Sequence, residues 1–486
     1  MLNSLKSVKR NFLYSILYQF LTIITPLFVT PYVSRVLHAE GIGVYGYTYA
    51  TASYFVLFIM LGLNNYGNRT IARYREDKKK LSKFFWSIYG MQILTSIIFV
   101  CIYILFIIVS DNNIISWIML LYVLSASFDI NWFFQGLEEF KIIVTRNAII
   151  KILSSLSIFI FVKDMNDLVI YSLIMTGSIL ISQLLLWPFL RKKIYIVKID
   201  ISDITVHFKP NIILFLPAIA VSFYRIMDKV MLGVISGTLE VGYYESTDKL
   251  ISIPLCIVTA LGTVMMPRMA NIIYKKSKEE IEGIVTKSLI LSVIISAPMM
   301  SGMMGIISIL VPIFYGQGYE KCIYLFYILL PSTLFVSMAN VIRTQILIPY
   351  ALDKIFVKSC IFGAICNIGI NFILIPRYNS IGAAIGTLCT EALVFGIQIM
   401  YTRKIINLRD ALKPIIFNIM AAIIMGSIVY LIPDLEELKI INLILKVILG
   451  VFIYLLEIYI YVYFSKNKII IEIVQIIFTK KYKLGR

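Results

Sequence analysis

The sequence predicts an all-α polytopic membrane protein of about fourteen transmembrane helices. They are arranged as two pseudo-symmetric six-helix lobes with two extra helices on the C-terminal side. Three observations predict this fold. Of 486 residues, 59% are hydrophobic and 15% charged, and the mean hydropathy is +0.88, outside the balance of a soluble globular chain. Apolar runs recur from end to end, each near the roughly 20 residues a helix needs to cross a bilayer core of about 30 Å. Finally, the two halves of the chain echo each other at a near-constant offset.

The candidate spans are 11–34, 44–63, 84–110, 114–134, 143–162, 167–190, 211–235, 243–266, 284–313, 323–342, 357–375, 380–400, 414–432 and 440–464. Span 1 is too long for a signal-peptide core and lacks a small-residue cleavage site, so it is read as retained. With the N-terminus in the cytoplasm, 35 of the 45 Lys and Arg fall in inner segments. Only Arg35, Lys163, Lys321, Arg377 and Lys439 fall in outer loops. This positive-inside pattern places both termini in the cytoplasm. A missed or extra helix would invert everything downstream, so the alternation also supports the count. The net charge of +18 then belongs to the inner membrane surface and calls for no nucleic-acid partner.

The absences restrict the chemistry. His38 and His207 fall in loops on opposite faces, and the six cysteines show no CxxC pairing, which points to neither a metal site nor a disulfide framework. No glycine-rich phosphate loop is present, so no built-in ATPase and no cofactor is expected. The Asn68-Arg69-Thr70 sequon falls on the predicted cytoplasmic side and is discounted. The longest hydrophilic connection, 191–210, is too short to fold as a domain. The expectation is a protein that is not an enzyme and acts within its helix bundle.

The repeat sets the domain organisation. A shift of 199 lays EGIGVYGYTYA (40–50) on LEVGYYESTDK (239–249), matching Gly43 with Gly242, Tyr45 with Tyr244 and, further on, Arg69 with Arg268. Phe140-Lys141 echoes Asp353-Lys354, and Arg191-Lys192 echoes Arg403-Lys404, at shifts of 213 and 212. The expected lobes are 1–190 and 211–400, joined by a basic linker, 191–210. Spans 13 and 14 occupy 401–464, and 465–486 reads as a cytoplasmic amphipathic basic tail. Six helices per lobe make this a parallel repeat about the membrane normal, a transporter architecture.

The charges that interrupt the spans are the candidate site. SFYRIMDKVMLGVIS (222–236) carries Arg225, Asp228 and Lys229 in under two turns of span 7. Glu245, Asp248 and Lys249 enter at overlapping depth on span 8. A charge at the bilayer centre costs at least about 2.5–3.5 kcal/mol, so such residues face protein or water. Two readings stand: a salt-bridge network locking spans 7 and 8, or surplus cations lining a cavity for an anionic group. Asp129, in FDINWFFQGLEEF, and Glu391, in span 12, are ion-pair or coupling candidates, with helix anchoring and packed hydrogen bonding as their structural alternatives. Lys151 and Arg343 lie near inner helix ends, where long cations snorkel. Pro26, Pro31, Pro217 and Pro254 mark candidate bends.

YVSRVLHAEGIGVYGY, LGLNNYGNRTIAR, NWFFQGLEEFK, YRIMDKVMLG and GYYESTDKL resemble, in order and across roughly residues 1–400, the recurring segments of Wzx-type polysaccharide flippases. That family is the polysaccharide-transporter branch of the MATE-like, or MOP, superfamily. The resemblance implies a bacterial cytoplasmic-membrane flippase that carries polyprenyl-pyrophosphate-linked oligosaccharide units from the inner to the outer leaflet by alternating access. Other polysaccharide assembly proteins are implied as partners alongside membrane lipids, and a proton or sodium gradient as the energy source. Likeness to the related lipid II flippases implies cationic cavity residues holding the pyrophosphate. Arg225, Lys229 and Lys249 are the positional candidates, with Arg35 at the outer end of span 1. This chain departs from that pattern in lacking an arginine in the middle of span 1. The alternative is an ion-coupled multidrug or metabolite antiporter of the same fold, against which the Arg and Lys surplus in spans 7 and 8 counts.

Overall fold

A computed structural model describes residues 2–110, 113–273, 275–403, 405, 408–433 and 438–465. The amphipathic tail expected at 465–486 lies outside them from residue 466 onward. Every regular element among the described residues is helical, as hydrocarbon demands of a spanning chain that does not close into a barrel. The chain divides into two compact units, 1–242 and 243–486. The first takes in span 7 as well as the six helices of the expected first lobe.

The first unit opens with α1 (Leu2–Met60), 59 residues long, broken by non-helical backbone at His38 with φ 53° and ψ 178°. At about 1.5 Å per residue an unbroken helix of that length would reach about 90 Å, three bilayer cores. Pro26 and Pro31 lie inside the helical stretch, and the break falls at His38 instead. The remaining helices are α2 (Leu63–Tyr74), α3 (Lys78–Ser110), α4 (Ile114–Ser127), α5 (Asn131–Gly136), α6 (Phe140–Phe161), α7 (Leu168–Leu184), α8 (Trp187–Leu190), α9 (Ile201–Thr205) and α10 (Phe208–Ser236). Gly62, with φ 82°, makes the turn between α1 and α2. A Cβ there would sit about 3 Å from the backbone of Leu214 and Phe215, so glycine alone lets α10 approach this corner. Arg69 and Arg73, expected in a loop, lie on α2.

The second unit contains α11 (Thr238–Ile272), whose first turn belongs to the first unit, and α12 (Lys278–Tyr315). There follow α13 (Glu320–Leu329), α14 (Ser332–Ile342), α15 (Asp353–Tyr378), α16 (Ser380–Thr402), α17 (Leu408–Leu431) and α18 (Lys439–Ser465). A turn of π-helix, Arg343–Leu347, follows α14. Small residues set a close packing here: Gly426 lies against Ser301, and Gly305 against the Gly426 carbonyl. This brings α12 and α17 together as membrane helices associate where apolar burial supplies no drive.

Eleven helical stretches are long and apolar enough to cross a membrane, and two bent pairs raise the number to 13 among the described residues. Fourteen were expected. One of the eleven, Ile24–Tyr74, runs through the His38 break and holds spans 1 and 2 together. The bent pairs are Ile201–Leu216 with Ile219–Ser236 (47°), bending where Pro217 was expected to interrupt, and Glu320–Leu329 with Ser332–Leu347 (40°), on either side of Pro331. Pro254 lies inside a continuous α11.

Candidate functional site

In the first unit, α10 packs against the second half of α1. Tyr47 covers Gly233, where a Cβ would come within 2.1 Å of the ring. Phe58 meets Phe215 at 5.5 Å, and Tyr54 meets Phe223 at 5.6 Å between ring centres. This packing separates the three charges of span 7 by environment. Arg225 is exposed and Lys229 half-buried, while Asp228 is 1% exposed and within electrostatic reach of the Tyr54 hydroxyl. Arg35 is exposed, its Nη1 donating to the Pro31 carbonyl at 3.3 Å, one turn before the His38 break.

Asp129 is the centre of a built network. Its Oδ1 accepts from the Asn131 backbone N–H (2.9 Å) and side-chain amide (2.7 Å). That same amide reaches Gln183 Oε1 at 3.0 Å, and Arg146 Nη2 donates to Asn131 Oδ1 at 2.9 Å. Arg146 Nε also donates to Asn147 Oδ1 at 3.0 Å. The network ties α5, α6 and α7. Gln92 of α3 secures it from the other side, donating to the carbonyls of Ala126 (2.6 Å) and Asp129 (2.9 Å) and accepting from Trp132 Nε1 (3.2 Å). Trp132 in turn lies over Gly67, whose Cβ would meet the indole at 2.6 Å. Two segments that carry the family resemblance, around GNRTIAR and NWFFQG, thus pack directly on each other.

In the second unit, Lys249 pairs with Glu245 one turn earlier on α11, at 3.3 Å, and Asp248 is exposed. Tyr315 donates to the Ser246 carbonyl at 2.6 Å, and Tyr244 and Thr387 share a hydrogen bond of 2.7 Å, anchoring this charged turn to α12 and α16. Glu391 is buried on α16. The α15–α16 seam beside it carries buried Asn367 and Asn371, hydrogen-bonded at 3.2 Å. Gly386 leaves room for Asn371, whose Oδ1 would lie 2.2 Å from a Cβ. Arg343, expected to snorkel, donates to Asn340 Oδ1 at 2.9 Å and lies over the Phe356 ring.

Sequence reasoning missed three features. Arg146 is 7% exposed, yet it was counted among inner-loop cations because it lies only two turns into its helix. An apolar groove of about 740 Å³ runs between α12, α17 and α18, lined by Pro298, Met303, Met425, Gly450, Tyr454 and Lys446 among others. Lys446 is 3% exposed. Near its other end, Tyr454 donates to Asn418 Oδ1 (3.1 Å) and the Ile294 carbonyl (3.2 Å). Glu457 Oε2 is buried with no hydrogen-bond partner among the described residues. The charges of span 14 were the available signal for this region. The groove itself, formed by three separate helices, left none in any single span.

Comparison with known proteins matches residues 8–273 to the polysaccharide biosynthesis protein family. The chain is 26% identical over 410 residues to a protein of Escherichia coli K12 named as an O-antigen transporter, covering 82% of this chain and 97% of that one. A second protein of that name, from Shigella dysenteriae, is 25% identical over 80% of this chain and 98% of its own length. A protein of Haloferax volcanii named as a glycan biosynthesis flippase is 20% identical over 47% of this chain and 48% of its own. Among solved structures, the lipid II flippase MurJ superposes with a TM-score of 0.78 at 15% identity, covering 93% of this chain and 99% of that one. Since the family match spans more than half of the sequence, the chain belongs to the polysaccharide biosynthesis protein family.

Proposed function

We propose that this protein is a flippase. It translocates polyprenyl-pyrophosphate-linked oligosaccharide units across the bacterial cytoplasmic membrane for surface polysaccharide assembly, by alternating access, exposing its binding site to one face and then the other. The observation that carries the reading is the co-linear match to O-antigen transporters over nearly their full length. It is joined to a multi-pass helical body whose fold is that of a lipid-linked precursor flippase. The physics agrees. A polyprenyl tail is at home in lipid, whereas a diphosphate and a glycan need fixed positive charge and hydrogen-bonding groups to cross. Arg225, Lys229 and Lys249 supply the charge, with Arg35 at the outer end; Glu245 and Asp228 temper and position it. The α12–α17–α18 groove suits the apolar tail. Glu391 and Asp129 are the carboxylates for proton or sodium coupling. The protein performs no bond-making step, and its glycan is handed on by other polysaccharide assembly proteins.

The test is translocation of a lipid-linked glycan in proteoliposomes by Arg225→Ala, Lys249→Ala and the double variant. Each single substitution is expected to slow translocation about tenfold or more, since a hydrogen bond to a charged group is worth about 1.5–3 kcal/mol. Insertion and melting should stay as in the parent. Full activity of the double variant would refute the cationic assignment.

A further inference from the structure

A second basic site lies in the first unit, away from the charges on α10 and α11. A depression of about 420 Å³ is lined by Arg75, Glu76, Lys78, Leu81, Leu137, Glu139, Lys192 and Lys193. It forms where the α2–α3 turn meets the segment after α5 and the residues that follow α8. Glu138, with φ 60°, turns the chain there, so that Glu138 pairs with Arg75 at 2.9 Å and Glu139 pairs with Lys193. Those two pairs neutralise Arg75 and Lys193. The side chains of Lys78 and Lys192 form no ion pair or hydrogen bond among the described residues, and Glu76 is the one lining carboxylate outside those two pairs. The neighbouring Asp77 pairs instead with Lys80, at 3.5 Å. Its Oδ1 accepts from the backbone of Lys80 and Lys79 at the start of α3. The Lys80 amide foremost holds that carboxyl below its ordinary range.

The depression also has an apolar side, Leu81 and Leu137, and stands beside an aromatic belt. Tyr74 stacks on Phe84 at 4.2 Å, and Tyr89 meets Trp187 at 4.9 Å. Trp86 donates to the Tyr195 carbonyl at 3.1 Å. Aromatic rings of this kind mark the headgroup level of a bilayer. At that level, a pocket with surplus cations on one side and leucines on the other matches the phosphate and the first carbons of an anionic phospholipid. A free phosphate would use the lysines and gain nothing from Leu81 and Leu137.

We propose that this depression is a binding site for the headgroup of an anionic phospholipid, held by Lys78 and Lys192. It is separate from the cargo site, and binding is read without transport. By the positive-inside pattern, the lipid comes from the cytoplasmic leaflet.

The experiment reconstitutes the full-length protein in phosphatidylcholine nanodiscs and titrates phosphatidylglycerol, following bound lipid by native mass spectrometry and melting temperature. Lys78→Gln with Lys192→Gln should weaken phosphatidylglycerol binding about tenfold, as two headgroup-level cations are removed. Melting in pure phosphatidylcholine should not change, because both side chains are exposed. Three outcomes would overturn the site: unchanged lipid binding by the double variant, an equal loss from Lys79→Gln with Lys80→Gln just outside the depression, or the same stabilisation from inorganic phosphate in neutral lipid.

Discussion

Arg146 and Arg225 both interrupt apolar helices, but their surroundings assign them opposite duties. Arg225 is exposed on α10, so truncating it removes charge without opening the fold. Arg146 is buried and holds the Asn131 and Asn147 side chains in place. Arg146→Ala takes the guanidinium from the Asn131 amide oxygen, leaves that of Asn147 with the Ser182 hydroxyl at 3.4 Å and removes a cation acting on Asp129. Breaking a buried charged network from one side costs about 3 kcal/mol. Melting in detergent should therefore fall by several degrees for Arg146→Ala and remain near the parent for Arg225→Ala. Asp129→Asn added to Arg146→Ala should recover part of the loss, since the carboxylate then no longer needs a counter-charge. Equal melting of all three variants would show that this network does not hold the unit together.

At the scale of helices, the two glycines aligned by the shift of 199 meet in one contact. Within the first unit, a Cβ on Gly43 would lie 1.8 Å from the Thr238 carbonyl oxygen, and one on Gly242 would lie 1.8 Å from that of Ala39. Both pairs are related by the shift of 199 that aligned Gly43 with Gly242, so the crossing is reciprocal. No side chain fits between those backbones. Gly43→Ala should lower the melting temperature, and Gly242→Ala added to it should cost less than the sum of the two, because one separation of the helices accommodates both methyl groups. Gly43→Ala melting like the parent would mean that this crossing carries little of the stability. The apolar length of each span was legible in the sequence, and so was the charge rhythm between spans. The bend at Pro217 was legible too, but the other interruptions of helix were not. The gap between α4 and α5 is held by Gln92, 34 and 37 residues away from the carbonyls it bonds, and the broken α13–α14 pair continues into a π turn. Tertiary hydrogen bonds of this sort leave no periodicity to read. Asp129 and its neighbour Asn131 were legible as polar residues in an apolar run, whereas Arg146 and Gln183, which bond Asn131, converge on them only in three dimensions.

For the molecule as a whole, the His38 break decides how the chain is threaded. The stretches before and after His38 are each long enough to cross about 30 Å of hydrocarbon. If each crosses, the start of α1 and the α2–α3 turn lie on one side of the membrane, with Glu40 on the other. If α1 crosses once, its start and that turn lie on opposite sides. The basic residues favour two crossings, since Lys6, Lys9 and Arg10 and the cluster Lys78–Lys80 would then share the cytoplasmic face. In a cysteine-free background of the full chain, Lys6→Cys and Lys79→Cys should react with a membrane-impermeant maleimide only after permeabilisation. Glu40→Cys and Lys163→Cys should react in intact cells. Labelling of position 6 from outside, with 79 still protected, would leave α1 a single crossing and reduce the spans to thirteen. Inversion of all four would turn the protein over and, with it, the direction in which its cargo must travel.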